Sequence, residues 1–475
     1  MAVYEYDAIV VGAGPNGLAA AITLQQAGLS ILLIEGAGII GGGMRSSALT
    51  LPGYLSDVCS AIHPMAAASP FFQQLPLDKF GLEYINPPVL AAHPFDNGDA
   101  AVLKHSLYET ADFLGPDKNA YLNLIGPIVD SWPDIAADVL GPLRFPKYPV
   151  DLLKFGIPAL RSALGIANKF KTQEAKGLWA GMAAHSLLPL DRLTTAAIGL
   201  VLMANGHIKG WPIPKGGSQQ IANALAGYFV SLGGKIQTDW YVRSLKELPS
   251  AKAILFDLGP KQLLEIAGES LSGFYKWQLK RYRYGAGVFK IDWALDGAVP
   301  FKATACRAAG TVHIGGTLQE IAVSERETSA GIITEKPFVL LAQQSLFDTG
   351  RVPEGRQALW GYCHVPNGSM ADRTAAIENQ IERFAPGFKD RILARHVFNT
   401  AQMERYNANY IGGDINGGIL DIWQLYTRPA LRRSPYRTSA KGIYLCSAST
   451  PPGGGVHGMP GFHAAKRALE DIWRL

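Results

Sequence analysis

The chain opens on an apolar run rich in β-branched side chains, residues 6–11 (YDAIVV), cut off by Gly12-Ala13-Gly14-Pro15-Asn16-Gly17 and followed by an Ala/Leu-rich stretch that lasts to Gly28. This pattern predicts strand, turn and helix, and residues 29–34 predict a second strand closed by Glu35. Far downstream, Phe289, Ile291, Trp293 and Leu295 alternate with Lys290, Asp292, Ala294 and Asp296. That period of two predicts a strand over 286–296 with one buried face. Similar runs at 310–316, 337–343 and 358–365 extend it into an antiparallel sheet, and Ile377, Ile381 and Phe384 at helical spacing predict a helix lying over it, stopped by Pro386-Gly387. Residues 76–204 read as mainly helical, broken by prolines, and are expected to form a cap. From Pro212 the pattern returns to helix (218–230), strand (235–238, running on to Val242), strand (252–257) and a helix begun by Pro260. The last elements are a strand at 442–446, the loop 447–461 (SASTPPGGGVHGMPG) and a helix at 462–473.

The first of these units carries chemistry. Gly12 permits a tight turn, Gly14 lets backbone approach a diphosphate, and Gly17 allows helix to pack closely on strand. Pro15 and Asn16 fall in the first helical turn, where a missing N–H is harmless and the remaining N–H groups with the helix dipole attract an anion. Glu35 ends the second strand 18 residues after Gly17, the place from which a carboxylate accepts hydrogen bonds from an adenosine ribose and disfavours a 2′-phosphate. A second glycine-rich loop, Gly41-Gly42-Gly43-Met44-Arg45-Ser46, can bring backbone N–H groups and the Arg45 charge to a phosphate. Beyond it, Asp57 and His63 are the first ionisable side chains expected near a cofactor pocket.

Composition narrows the class. With 475 residues, 48% hydrophobic and 17% charged, the chain can bury two or three domains and an apolar ligand cavity. Cys59, Cys306, Cys363 and Cys446 show neither CxxC nor metal spacing, which points to a reducing, cytoplasmic setting. No run reaches the ~18 apolar residues that span a bilayer, and Glu5 and Asp7 sit where a signal peptide would carry positive charge. The net charge of +5 is concentrated: residues 144–176 hold seven basic residues against Asp151 and Glu174. Interleaved with Leu153, Phe155, Ile157 and Leu160, they read either as a peripheral membrane contact or as a solvated helical lid. No motif that reads a nucleic-acid groove is present, so no nucleic-acid partner is expected.

Taken together, the N-terminal fingerprint with its GGGMRS loop, the central Pro-x-Pro-x-Gly-Gly and LGGKIQT blocks, GTVHIGG (310–316), YNANYIGGDI (406–415) and the terminal YLCSASTPPGGGVHGMPG resemble the phytoene dehydrogenase-related flavoproteins. The likeness covers most of the chain and leans toward the branch of the pyridine nucleotide-disulphide oxidoreductase domain-containing proteins, beside carotenoid desaturases and retinol saturase. It implies an α/β fold: a discontinuous, amine oxidase-like Rossmann-type FAD-binding domain (1–75, 205–275 and 405–475) with an α+β substrate domain of antiparallel sheet and helical cap (76–204 and 276–404). It also implies FAD held at its diphosphate by Gly12, Gly14 and Gly17, at its ribose by Glu35, on the flavin side by Gly42, Gly43, Arg45 and Ser46, and at its adenine by the backbone of Val242. Gly454, Gly455 and Val456 would lie against the isoalloxazine ring. The bacterial carotenoid-desaturase signature has Gly, and His or Gln, where this chain has Ser447 and Pro451, which speaks against a carotenoid specifically.

A second GxGxxG and a redox cysteine pair are both missing, so electrons are expected to pass to oxygen or a quinone. Hydride transfer to a flavin asks chiefly for a dry, apolar pocket. The proton that leaves in desaturation turns attention to His457, His63 and Asp57. Each has a plainer alternative: His457 held by its own loop backbone, His63 structural, and Asp57 paired with Arg45. Asp414 reads as a turn former, and His313 as a structural strand residue. Three functions compete: oxidation or reduction of an apolar isoprenoid, polyene or lipid-like substrate; an amine oxidase, which would need an aromatic cage for which Tyr444 is the nearest residue; and a membrane-associated or interaction protein that keeps FAD for stability.

Overall fold

The computed structural model describes residues 4–475, the side chain of Tyr426 aside. Twelve strands build its two main sheets: β1 (Tyr6–Val11), β2 (Ile31–Ile34), β3 (Val89–Pro94), β4 (Ala100–Leu103), β5 (Lys235–Gln237), β6 (Ala251–Phe256), β7 (Gly287–Leu295), β8 (Ala309–Ile314), β9 (Val339–Ala342), β10 (Gln357–Val365), β11 (Ile392–Phe398) and β12 (Ile443–Leu445). The first sheet runs β12-β6-β1-β2-β5, every pair parallel. Its strands are continuous apolar runs because helices cover both faces.

The helix Pro15–Gln26 is buried from Asn16 to Leu24 and packs on the helices Gln219–Ser231 and Met459–Ala468. Two close approaches fix it. A Cβ on Gly17 would stand 1.8 Å from the Gly12 carbonyl oxygen, and one on Gly461 would stand 1.8 Å from that of Asn16. Any larger residue at either place would drive the helix off its neighbour. The C-terminal helix begins at Met459, three residues before the expected start, since Pro460 suits a first helical turn.

The second sheet runs β11-β7-β10-β9-β8-β3-β4, antiparallel throughout except where β8 pairs with β3. Strands β3 and β4 correct the reading of 76–204 as helical. Their alanines favour helix locally, but pairing at the sheet edge overrides that preference. A short strand, Tyr84–Ile85, pairs with Ile213–Pro214, and from Leu107 to Lys209 the regular elements are all helical.

One expectation for β7 also fails: all nine of its residues are buried, not one face only. Phe289, Ile291, Trp293 and Leu295 pack with Val312, Ile314, Leu341 and Leu359 beneath the helix Thr374–Phe384, each such burial contributing about 1.5–3 kcal/mol. The opposite face, which would meet water in an isolated sheet, is covered by residues of the Rossmann half, among them Cys59, Ala61 and Tyr410. The second sheet therefore roofs the first domain. All four cysteines are buried and unpaired, and no helix among the described residues is long and apolar enough to cross a membrane.

Candidate functional site

A cavity of about 620 Å³ runs from the glycine loops to the underside of the roof. At its nucleotide end Gly12, Gly14, Pro15 and Asn16 face Gly42 and Gly43. A Cβ on Gly42 would lie 3.1 Å from the Gly14 Cα, and one on Gly43 would lie 2.4 Å from the Tyr410 hydroxyl, so the two loops form a cradle that only glycine leaves open. The Asn16 Oδ1 and Arg45 Nε are buried without partners. Ala13 N–H donates to Glu35 Oε2 at 2.9 Å, and Ala37 N–H and Arg45 donate to Oε1 at 3.0 and 3.2 Å. Arg45 lies over the Tyr406 ring, whose hydroxyl donates to the Gly42 carbonyl at 2.7 Å. Val242 lines the same end beside Trp240, Tyr241 and Arg243. Backbone donors, unpartnered polar atoms and a strand-end carboxylate suit the adenosine and diphosphate of a dinucleotide.

One further residue at this end had not been singled out from the sequence. Asp257, just beyond β6, accepts the Gly17 N–H at 2.8 Å and stands against Gly14. Burial, offset in part by that hydrogen bond and reinforced by Glu35, pushes its pKa up to about 8.

At the other end the lining changes character. The roof presents two registered rows: Thr311, Ala342, Trp360, Asp292 and His396, then His313, Leu340, Tyr362, Lys290 and Phe398. Of these, Thr311, Leu340, Trp360 and Tyr362 reach the cavity, facing Ile62, Met65, Leu202 and Trp211. Trp360 and Tyr362 meet edge to face at 5.2 Å. The charged side chains of the lining (Glu35, Arg45, Arg243, Asp257, Glu265 and Arg405) come from the glycine loops, the flanks of β6 and the 405–409 segment, none from the roof. Lys290 and Asp292 pair with each other beside Trp360 and Phe398. Burial lowers the Lys290 pKa and raises that of Asp292 to about 6, each shift opposed by the partner's charge. Their alternation with apolar residues was visible in the sequence, but its meaning depends on what lies over that face.

The expected site residues separate into two groups. Gly12, Gly14, Pro15, Asn16, Glu35, Gly42, Gly43, Arg45, His63, Val242, Gly455 and Val456 line the cavity; Gly17, Ser46, Asp57, Gly454 and His457 do not. Gly17 acts through packing and through its bond to Asp257. Ser46 donates to Asp57 at 2.7 Å and accepts the Gln219 N–H. Gly454 is pressed against the backbone of Asn416.

Asp57 is fully buried, where it accepts from Ser46, from the Ser218 N–H at 2.7 Å and from Arg351 at 2.6 Å. Burial is the largest influence and alone would raise its pKa, but the Arg351 guanidinium together with the hydrogen bonds from Ser46 and Ser218 outweighs it and holds the carboxylate below its usual range. Its partner is thus Arg351, not the Arg45 anticipated, and its oxygens are committed to structure. His457 is the loop-braced histidine: Nδ1 accepts the Met459 N–H at 3.2 Å while Nε2 faces the Gly454 carbonyl at 3.3 Å, and burial lowers its pKa to about 4. Tyr444 is buried and donates to Asp471.

His63 is the one proton-transfer candidate on the cavity wall. The Ser218 hydroxyl donates to the Ser60 carbonyl at 2.7 Å, so it receives the His63 Nε2–H at 2.8 Å. Nδ1 is left with a free lone pair and no partner. Burial keeps the ring neutral, with a pKa of about 4. Thr311 Oγ1 and Trp360 Nε1 are likewise unpartnered and buried. His185, also on the wall, meets His313 Nε2 to Nε2 at 3.0 Å.

Comparison with known proteins agrees with this geometry. Residues 10–75 match the NAD(P)-binding Rossmann-like domain. Over 98% of its length the chain is 25% identical to pyridine nucleotide-disulfide oxidoreductase domain-containing protein 2 of Mus musculus, covering 94% of that protein. Among solved structures it is similar to an oxidoreductase from Methanosarcina mazei (TM-score 0.66, 16% identity, 98% of this chain and 99% of the other). It is also similar to wild-type putrescine oxidase bound to putrescine (TM-score 0.61, 16% identity, 99% of each chain). Fold, dinucleotide loop and relatives define a mixed α/β protein with a Rossmann-like NAD(P)-binding domain, whose fold is shared with oxidoreductases, putrescine oxidase among them.

Proposed function

We propose that the protein is an FAD-dependent oxidoreductase of the phytoene dehydrogenase-like type, acting on an apolar, uncharged substrate of isoprenoid, polyene or lipid-like character. The observation that carries this reading is the polarity of the cavity between the glycine loops and the roof. Its Rossmann end gathers every charged side chain of the lining, and its roof end offers aromatic and aliphatic walls with a few neutral polar atoms.

In this reading Gly12, Gly14, Gly42 and Gly43 hold the diphosphate, Glu35 the ribose, Val242 the adenine, and Gly455 and Val456 border the ring system. When bound, FAD takes up or gives a hydride. The chain's own contribution is to exclude water with the roof, to orient the reacting C–H bond between roof and Rossmann domain, and to offer the His63 Nδ1 lone pair to a departing proton. Oxygen or a quinone serves as electron acceptor.

Amine oxidation is the second reading, favoured by the putrescine oxidase fold and by the Trp360–Tyr362 pair. Against it, no carboxylate of the roof lines the cavity, Asp292 being paired with Lys290, and an ammonium buried there would lack a counter-charge. The test is anaerobic mixing of the flavin-loaded protein with polyenes, isoprenoid alcohols, amines and quinols while the flavin spectrum is followed. Bleaching by an apolar isoprenoid or polyene is expected. Bleaching by amines alone would overturn the proposal, and no bleaching by any donor, with a stable protein complex instead, would favour a structural role for FAD.

A further inference from the structure

An exposed apolar surface lies on the helical cap. In the helix Pro149–Ala159 the side chains of Phe155 and Ala159 are buried, as a cap helix requires, yet the opposite side is not polar. Val150 (68% exposed), Leu153 (59%), Ile157 (66%) and the following Leu160 recur at i, i+3, i+7 and i+10 and form one outward stripe. The loop before the helix adds Leu143 and Phe145, the latter 95% exposed. Six large apolar side chains are exposed to solvent within 18 residues, four of them on one helix face, and such clusters mark contact surfaces.

What covers the patch is indicated by its rim. Arg144, Lys147, Lys154 and Arg161 flank the stripe, all exposed, Lys154 pairing with Asp151 and Arg144 with Asp138 while Lys147 and Arg161 face no acid within ion-pair distance among the described residues, and residues 144–176 carry the whole net charge of the chain. A second copy of the chain docking through this face would set the same basic rim against itself. An anionic lipid surface instead receives the stripe among its acyl chains and the rim among its headgroups. The helix also packs on the helix Thr195–Lys209, whose Leu202 lines the roof end of the cavity.

We infer that the helix Pro149–Ala159 and the loop ahead of it form a docking surface for an anionic bilayer, which sets the helix wall of the cavity next to the membrane. Docking is independent of the redox reading, because its test reads lipid binding alone.

The full chain, loaded with flavin, is floated with vesicles of phosphatidylcholine and with vesicles in which part of it is replaced by phosphatidylglycerol. It should float with the second and lose binding as salt is raised. Leu153→Ser with Ile157→Ser should abolish flotation even at low salt. Lys147→Glu with Arg161→Glu should lower partitioning into anionic vesicles at least tenfold, each basic residue near such a surface contributing about fivefold. These side chains are exposed, so the melting temperature and flavin content of the variants should match those of the parent. Absence of flotation by the parent, undiminished flotation by both variants, or a stable dimer that the serine variant dissociates would each overturn the proposal.

Discussion

Asp257 Oδ2 accepts the backbone N–H of Gly17 at 2.8 Å, so a carboxyl from the end of β6 stands inside the glycine turn proposed to receive the diphosphate of FAD. Two negative groups would repel there, and the raised pKa of Asp257, about 8, shows how the chain avoids this: the carboxyl stays protonated at neutral pH. The unfolded chain ionises Asp257 near pH 4. The cost of keeping it protonated in the fold is therefore absent below that pH, grows as pH rises toward 8, and is constant above. Asp257→Asn keeps an acceptor for Gly17 and removes the charge. Denaturant melts at pH 9 should show a gain for the variant of up to about 5 kcal/mol, at ~1.4 kcal/mol per pKa unit, that vanishes near pH 4. Titration with FAD should show its affinity falling less between pH 7 and pH 9 than that of the parent.

Lys290 and Asp292 are buried on the covered face of β7, where each is the other's counter-charge. Lys290→Met strands the carboxylate and should cost about 3–5 kcal/mol in a urea melt. Adding Asp292→Leu should recover most of it, since a buried ion pair is often replaceable by apolar residues without loss. A double variant as unstable as the single one would show that both groups depend on partners other than each other.

The N-terminal unit was legible because its information is local: strand, glycines, helix and terminal acid all lie within residues 6–46, and the two strands and the helix are found where expected, the second strand beginning at Ile31 and the glycine loop adding a single turn at Gly42–Met44. The roof was legible as strands but not as a site. Whether Lys290 and Asp292 meet water is decided by Cys59 and Tyr410, more than a hundred residues away on either side. Strand β3 was missed for the same reason, its Leu90, Ala91 and Ala92 reading as helix until β8 and β4 pair with it. In the loop 447–461 composition pointed to the right segment but not to the right side chains. Gly455 and Val456 turn toward the cavity, while Gly454 meets Asn416 and His457 turns back on its own loop.

Asp57 provides a clean separation of structure from chemistry. Because Arg351, Ser46 and the Ser218 N–H together hold its pKa down, its stabilisation is complete above pH 4 and is lost as pH falls through the lowered folded value. Arg351→Met should destabilise the protein by about 3–5 kcal/mol at pH 7 by leaving Asp57 charged and unpaired. Turnover per flavin-loaded molecule, measured below the melting range, should stay within about twofold for Asp57→Asn, as it does for groups that do not touch reacting atoms. A hundredfold loss of turnover with unchanged stability would restore Asp57 to the catalytic set.

Thr311 and Trp360 lie in one row of the roof, each paired in register with Ala342 between them, and both end in a polar atom that has no partner within the fold. Leaving a buried hydroxyl unpaired costs about 1–3 kcal/mol, so the fold alone gives no reason for a threonine here. Thr311→Val keeps the shape and removes the unpaired group; the flavin-loaded variant should be as stable as the parent or more so, by about 1 kcal/mol in a denaturant melt. If Thr311 Oγ1 and Trp360 Nε1 receive an oxygen of the substrate, the same change should weaken binding of an isoprenoid alcohol or ketone about tenfold, read from perturbation of the flavin spectrum. Binding of the matching hydrocarbon should be unaltered. Trp360→Phe should act in the same direction on the oxygenated ligand, with an added loss for both ligands from the smaller ring. Equal binding of alcohol and hydrocarbon by the parent would show that the two atoms face no ligand.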